Sequence, residues 1–378
     1  MTNRIMKRCE SRIAEFFQRR YYVLTGNGTS ALTLAFKLAS PHKQHVLLPA
    51  MACYNIVMAT YFAGKVPLFS DILESDATLN PDAVARQLDS TPTIGAVLIV
   101  HLYGHPARTE EIIRICKSYD VVPIEDQAQA MGGHYSTGEP LGALGDISII
   151  SFGHTKILDV GGGGAFLTDD PALYHQAAEK ALLLPKRLEE AAELERAYRE
   201  IYYGIWRAGL LDRRFFTLFD DLPMKFKDTF LFSDTNSNDS RIEKALGNFE
   251  SELAGRRTIA DLYRSELSSI EGLKLFSPTS ENVPWRFTFR LDPQIRDIVF
   301  NQVRQEGFDI SGWYPCFVEW TPSGRKQGTA SFPVACRLGK EVVNLWVAEG
   351  YTTKKALAAA RSLKEAIKLS YRRLKQKR

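Results

Sequence analysis

The chain has 378 residues, of which 45% are hydrophobic and 24% charged, with a formal net charge of +4; it has apolar mass for a large core and length for two domains. The longest apolar run, Ile94–Val100, is too short to cross a bilayer, and the first 17 residues carry charges where a signal peptide needs its apolar segment. Five cysteines, widely spaced and without a CxxC pair, argue against a disulfide framework or a zinc site and suit a reducing, cytoplasmic setting.

In chain order, short apolar runs at 21–24, 46–49, 67–71, 96–102, 121–125, 147–152 and 165–168 read as strands. Amphipathic stretches at 29–38, 81–87 and 109–118 lie between them. This alternation predicts βα units around a mostly parallel sheet, an α/β fold. From about residue 171 the pattern turns helical and charged, and it ends in a polar stretch, 233–240, expected as a loop. A long helix is expected over 241–267, then a smaller mixed region with strand-like 285–291 and 342–347, then a C-terminal helix. The expected division is a large domain over 1–245 and a small α+β domain over 246–378. From Lys354 to Arg378 there are ten Lys or Arg residues against one acid, Glu365. Because Leu357, Ala360, Leu363, Ile367, Tyr371 and Leu374 recur at helical spacing, this charge reads as the solvated side of a packed helix rather than a nucleic-acid patch.

Three segments carry chemistry. Residues 26–32, GNGTSAL, follow a strand and open a helix, so the amides near Gly28, Thr29 and Ser30 form an anion site. The same residues satisfy a dinucleotide fingerprint, but the acid expected about twenty residues on is absent, so a monophosphate fits better than NAD. Asp126 ends the fifth expected strand, where ligands sit in open α/β sheets; a carboxylate there can hold a pyridinium proton. Alternation along the strand selects Asp126 over Glu125. Gln129, three residues on, is a candidate for a cofactor's phenolic oxygen. Lys156 follows the strand over 147–152 and precedes Gly161, Gly162, Gly163 and Gly164. A lysine so placed can form a Schiff base, and with Asp126 it points to pyridoxal phosphate. Ser151 adds a hydroxyl for a phosphate. His154 reads as structural, and His101 or His105 could shape the pocket. All seven histidines precede residue 176 without ligand spacing, so no metal is expected.

In order, GNGTSAL, VPIEDQAQAMGGHY and GDISIISFGHTKILDVGGGGAFLTDD resemble the sugar aminotransferases of the DegT/DnrJ/EryC1/StrS family. The resemblance extends over most of the first 265 residues, and more loosely to GFDISGWYP and VVNLWVAEGY. It implies the three-layer fold-type I architecture of pyridoxal phosphate transferases, with a mostly parallel sheet and a small C-terminal domain. It further implies that Lys156 binds the cofactor and moves the proton, that Asp126 pairs with the ring nitrogen, and that Gln129 meets the ring hydroxyl. Gly28, Thr29 and Ser151 match phosphate-binding positions. Arg241 looks like the arginine that reaches the phosphate of a neighbouring subunit, which implies a homodimer with shared sites.

The chain departs from the family's pattern at three places. The asparagine usual two residues before that arginine is Asp239, with Asn238 one step off. The aromatic that stacks on the cofactor ring is missing or shifted to Tyr54, and Gly162 stands where a glutamate is typical. The implied reaction is transfer of an amino group from glutamate or glutamine to a keto sugar, nucleotide-linked, in amino-sugar biosynthesis. A cyclitol or small keto acid as acceptor, a dehydration or retro-aldol outcome, and a non-catalytic regulatory protein of the same fold are the alternatives. Arg286, Arg290, Trp313 and Tyr314 are candidates on the acceptor side.

Overall fold

The computed structural model describes Ile13 and residues 15–233, 239–276, 283–348 and 350–376; most of the polar stretch expected as a loop, Asn238 included, lies outside them. The N-terminal half runs β1 (Tyr21–Thr25), α1 (Gly28–Ala39), β2 (His45–Pro49), α2 (Asn55–Phe62), β3 (Val66–Ser70), α3 (Pro81–Ser90), β4 (Ile94–Val100), α4 (Thr109–Ser118), β5 (Val122–Asp126), β6 (Ile147–Ser151) and β7 (Gly164–Thr168). Each expected strand is present, with ends moved by a residue or two. They form one sheet in the order β1-β7-β6-β5-β4-β2-β3. Its pairs are parallel except for β7, which runs antiparallel to both β1 and β6.

Helices cover both faces of the sheet, which explains why β4 is buried along its whole length rather than alternating. On one face α1 packs with Phe36, Phe69, Phe152 and Phe166. On the other, α3 and α4 close over Leu47, Val97 and Ile99 with Val84, Leu88 and Ile112. The result is a helix-sheet-helix sandwich with the C-terminal ends of β4, β5 and β6 at one edge. Asn80 caps α3 by accepting from the Asp82 N–H at 3.0 Å, and Pro81 follows at a position where the missing N–H costs nothing.

Beyond the sheet come α5 (Pro171–Leu182), α6 (Ala191–Leu211), α7 (Asp239–Gly247) and α8 (Phe249–Leu267). The single helix expected over 241–267 is therefore two. The break falls at Asn248 after Gly247, two poor helix formers side by side, where the backbone turns to φ −107° and ψ 6°. There follow β8 (Lys274–Leu275), β9 (Phe287–Arg290), α9 (Pro293–Gln305), β10 (Ile310–Ser311), α10 (Pro333–Glu341), β11 (Val342–Leu345) and α11 (Thr353–Gln376). The four strands make an antiparallel sheet, β10-β11-β9-β8. It shares a second core with α8, α9 and α11, built on Tyr263, Phe287, Phe289, Val299, Leu363 and Ile367.

The segment from Trp313 to Leu338 turns back, and Tyr314, Phe317, Trp320 and Phe332 pack into the main core. Helix α11 buries Ala359, Ala360, Leu363 and Ile367 and leaves Lys355, Arg361 and Lys368 in water. That is the solvated face its periodicity predicts. Among the described residues, no helix is long and apolar enough to cross a membrane.

Candidate active site

A cavity of about 730 Å³ opens at the C-terminal edge of the parallel strands. Gly28, Thr29, Asp126, Ser151, Lys156 and Arg241 all line it. Its phosphate side is built by α1. The Asn27 side chain accepts from the Ser30 N–H at 2.7 Å and donates to the Phe230 carbonyl at 3.0 Å, which fixes the first turn. A Cβ on Gly28 would stand 2.8 Å from the Ser151 Cβ, so glycine lets the turn close onto the end of β6. The Thr29 hydroxyl accepts from Asn55 Nδ2 at 3.2 Å. The Ser30 hydroxyl, by contrast, is directed at the Phe232 N–H (3.0 Å) and does not line the cavity.

Asp126 ends β5 beside β6 and is 6% exposed. Its Oδ1 accepts from the Ala128 N–H at 2.9 Å. Burial pushes its carboxyl up from the ordinary value, while the charge of Lys156 pulls the other way. Alternation sends Glu125 to the opposite side. There it accepts from His101 Nε2 (3.1 Å), from the amides of Leu144 (2.9 Å) and Gly145 (2.6 Å), and from the Tyr135 hydroxyl. The Ala107 N–H donates to His101 Nδ1 at 3.1 Å, so the imidazole proton sits on Nε2, facing the carboxylate. His105 is likewise occupied, with Nδ1 2.7 Å from the Asp76 carbonyl. Neither histidine reaches the cavity.

Lys156 sits in a loop between β6 and β7 whose backbone is held from three sides. Thr155 takes a left-handed conformation, φ 67°, and its N–H donates to Asp159 Oδ2 at 2.9 Å. Asp159 Oδ1 accepts from the Gly161 N–H at 2.9 Å. The Trp285 indole donates to the Thr155 carbonyl at 2.7 Å, and Arg256, 4% exposed, donates to the carbonyls of Trp285 (3.1 Å) and Lys156 (3.4 Å). His154 projects outward with its side chain 84% exposed, 3.7 Å from Asp159.

Two expected cofactor contacts are placed elsewhere. Tyr54 precedes α2 and turns inward, where its ring packs against Tyr202, Phe219, Phe317 and Trp320 at centroid distances of 6.0, 5.5, 6.0 and 5.6 Å. The burial gained in that aromatic cluster decides the direction, and Cys53 and Asn55 line the cavity instead. Gln129 spends both ends of its amide, accepting from the Tyr103 N–H at 2.9 Å and donating to the Tyr314 hydroxyl at 2.7 Å. Arg286 pairs with Asp309 at 3.2 Å and Arg290 with Glu341 at 2.7 Å, so these two belong to the smaller sheet.

Several lining or bracing residues escaped sequence reasoning. Arg187, Arg196 and Arg199 reach the cavity from α6 and the segment before it, and Arg256 and Trp285 brace the lysine loop. Their signal is long-range; only Asp159, between Lys156 and the glycines, had a local one.

A family model for the DegT/DnrJ/EryC1/StrS aminotransferase family matches residues 2–188, about half of the chain. GDP-perosamine synthase of Escherichia coli O157:H7 is 33% identical over 170 residues, 45% of this chain and 46% of that protein. The matched stretch thus spans less than half the length of that relative. The erythromycin biosynthesis sensory transduction protein EryC1 of Saccharopolyspora erythraea is 28% identical over 349 residues, 89% of this chain and 83% of its own. Among solved structures, DesI in the presence of its TDP-sugar product superposes with a TM-score of 0.77 at 22% identity, over 99% of this chain and 88% of that one. With that model matched over the N-terminal half and relatives extending the similarity along the chain, the chain belongs to the DegT/DnrJ/EryC1/StrS aminotransferase family.

Proposed function

We propose that this chain is a pyridoxal phosphate-dependent aminotransferase that moves an amino group from glutamate or glutamine to a keto sugar carried on a nucleotide. We also propose that it works in the cytoplasm as a homodimer, with Arg241 contributing at the shared site. One observation carries the reading. Asp126, at the end of β5, and Lys156, in the loop after the neighbouring parallel strand β6, line one cavity that the N-terminus of α1 also lines.

The residues fit the cofactor. A Cβ on Gly28 would fill the cradle against Ser151, the Thr29 and Ser151 hydroxyls line it, and the helix amides there favour an anion. Asp126 is a buried carboxylate with one oxygen uncommitted among the described residues, suited to a ring-nitrogen proton. Bound pyridoxal phosphate supplies an aldehyde that condenses with amines and a protonated ring that accepts an electron pair.

The remaining work falls to the chain. Lys156 Nζ would hold the cofactor covalently and, freed by the incoming donor amine, would take the proton leaving the donor's α-carbon onto its own neutral amine. Asp126 keeps the ring-nitrogen proton in place by its charge. Arg187, Arg196 and Arg199 supply positive charge for the carboxylates of the donor and the phosphates of the acceptor. The names of the relatives support the acceptor class, since one carries a GDP-linked sugar and the other was solved with a TDP-sugar.

The test is reconstitution with pyridoxal phosphate, borohydride reduction and peptide mass mapping, followed by addition of L-glutamate to unreduced protein. The expected result is a cofactor adduct on Lys156 and, with glutamate, loss of the visible band. An adduct on other lysines, or none, overturns the reading.

A further inference from the structure

Two thiols meet outside the active cavity. Cys316 Sγ and Cys336 Sγ lie 3.0 Å apart, although twenty residues separate them in the chain. Both residues are half-buried, so a small oxidant has access to them. The other two described cysteines stand apart from the pair. Cys53 lines the active cavity, and Cys116 is buried between α4 and the main sheet.

Close approach of backbone builds the contact. Cys336 lies in the first turn of α10, whose start is fixed by Asp71, which accepts from the Val334 and Ala335 N–H groups at 3.1 and 2.9 Å. Gly339, three residues on and on the same side of the helix, faces the Cys316 backbone. A Cβ there would stand 2.6 Å from the Cys316 nitrogen and 3.4 Å from the Cys316 Cβ, so glycine lets α10 settle against residue 316. Cys316 is held from its other side by an antiparallel bridge to Met51, and the Phe317 N–H donates to the Ala50 carbonyl at 3.3 Å. Each sulfur thus rides on backbone anchored to the main sheet, one through the residue after β3 and the other through the residues after β2. Closing the pair to a disulfide needs a movement of about 1 Å.

The surroundings distinguish the two thiols. The hydrogen bond between them holds the Cys336 thiol below its ordinary value and raises that of Cys316. Burial acts against the first shift and with the second. Lys340, one turn along α10, favours a Cys336 thiolate, while Glu319 and Asp71 oppose it. The Thr329 carbonyl, 3.9 Å from Cys336 Sγ, accepts the proton of the neutral thiol. A readily ionised, accessible thiol beside a second one that keeps its proton is the arrangement of an attacking and a resolving cysteine.

We propose that Cys316 and Cys336 form a reversible, peroxide-sensitive modification site, with Cys336 attacking and Cys316 resolving. The Cys336 thiolate attacks one oxygen of hydrogen peroxide, the O–O bond breaks, and the leaving hydroxide takes up a proton to become water. The Cys336 sulfur is thereby oxidised to a sulfenic acid. The Cys316 sulfur then displaces the hydroxyl, which leaves as a second water with the Cys316 proton. Two thiols and one peroxide give one disulfide and two waters, and an external dithiol reverses the bond by exchange. In a reducing compartment such bonds are transient and sensing rather than structural. The site stands independently of the proposed aminotransferase activity.

The experiment treats the purified full chain with a small molar excess of hydrogen peroxide, followed by alkylation and non-reducing peptide mapping. The expected product is a link within one chain between the peptides of Cys316 and Cys336, with loss of two free thiols, reversed by dithiothreitol. Cys336→Ser should slow oxidation at Cys316 tenfold or more. Cys316→Ser should stop at a Cys336 sulfenic acid, which dimedone traps. The cross-link should raise the melting temperature of the wild-type chain by roughly 3–6 °C.

A pair that stays reduced while Cys53 or Cys116 is oxidised overturns the proposal. So does a link between chains, or one that joins Cys316 to Cys53. A melting temperature that falls on oxidation overturns it too, because the bond then forms only by distorting the native packing of α10. The wild-type peptide map decides even where a serine variant fails to fold.

Discussion

His101 Nε2 and the Glu125 carboxylate lie 3.1 Å apart with neither side chain exposed, one strand position from the carboxylate that faces the active cavity. Burial alone pushes the Glu125 carboxyl up, but the hydrogen bond from His101, with those from Tyr135 and the Gly145 amide, holds it below the ordinary range. A depressed carboxyl contributes stability that is present above its unfolded value, about 4.3, and is lost as pH falls through the lower folded value. Glu125→Ala should cost about 3–5 kcal/mol, because it leaves His101 and the amides of Gly142, Leu144 and Gly145 without their acceptor. Denaturant unfolding at neutral pH checks the size. Melting temperatures between pH 6 and pH 3 check the sign, since the wild-type advantage should shrink only in the acid range.

Asp126 should behave in the opposite way. Burial raises its carboxyl, against the pull of Lys156, so the folded cofactor-free protein binds a proton more readily there than the unfolded chain does. Its contribution to stability therefore declines as pH rises from about 4 through the raised folded value. Asp126→Asn should flatten this part of the profile in cofactor-free protein and cut turnover at least a hundredfold in loaded protein. An unchanged melting profile together with full turnover would remove Asp126 from the site.

Gly28→Ala tests the cradle. The added Cβ would lie 2.8 Å from that of Ser151 and force the first turn of α1 away from β6. Affinity for pyridoxal phosphate should fall tenfold or more while the melting temperature of cofactor-free protein moves by only a few degrees. Equilibrium dialysis against the cofactor reads the first, and calorimetric scanning the second.

Asp159→Ala tests the brace under the lysine. Two amides lose their acceptor, and Thr155 loses the contact that offsets its left-handed backbone. Borohydride-trapped cofactor should still appear on Lys156, but turnover should fall about tenfold through misplacement of the amine. Asp159→Asn, which keeps one acceptor oxygen, should recover part of the loss.

The legible parts of this protein are those where one short segment carries both the fold and the chemistry. The turn before α1, the acid ending β5 and the lysine beyond β6 each combine strand-end position with a reactive or glycine residue. The parts that stayed hidden depend on what a segment faces. Helical spacing marks one side of α6 as mixed, yet nothing local tells that Arg196 and Arg199 meet Lys156 across a cavity while Tyr203 and Trp206 line another. Tyr54 shows the same gap at a single residue. Its aromatic character suited either a cofactor ring or a cluster, and four aromatic partners drawn from 202–320 decided for the cluster. The break at Asn248 was visible in its residue types but was outweighed by the amphipathic pattern running through it.

The Trp285 indole is buried in the main core. Two residues later the chain enters β9 of the smaller sheet, while the hydrogen-bond acceptor is the residue before Lys156. A planar two-ring side chain thus ties the residue before Lys156 to the segment that leads into the smaller sheet.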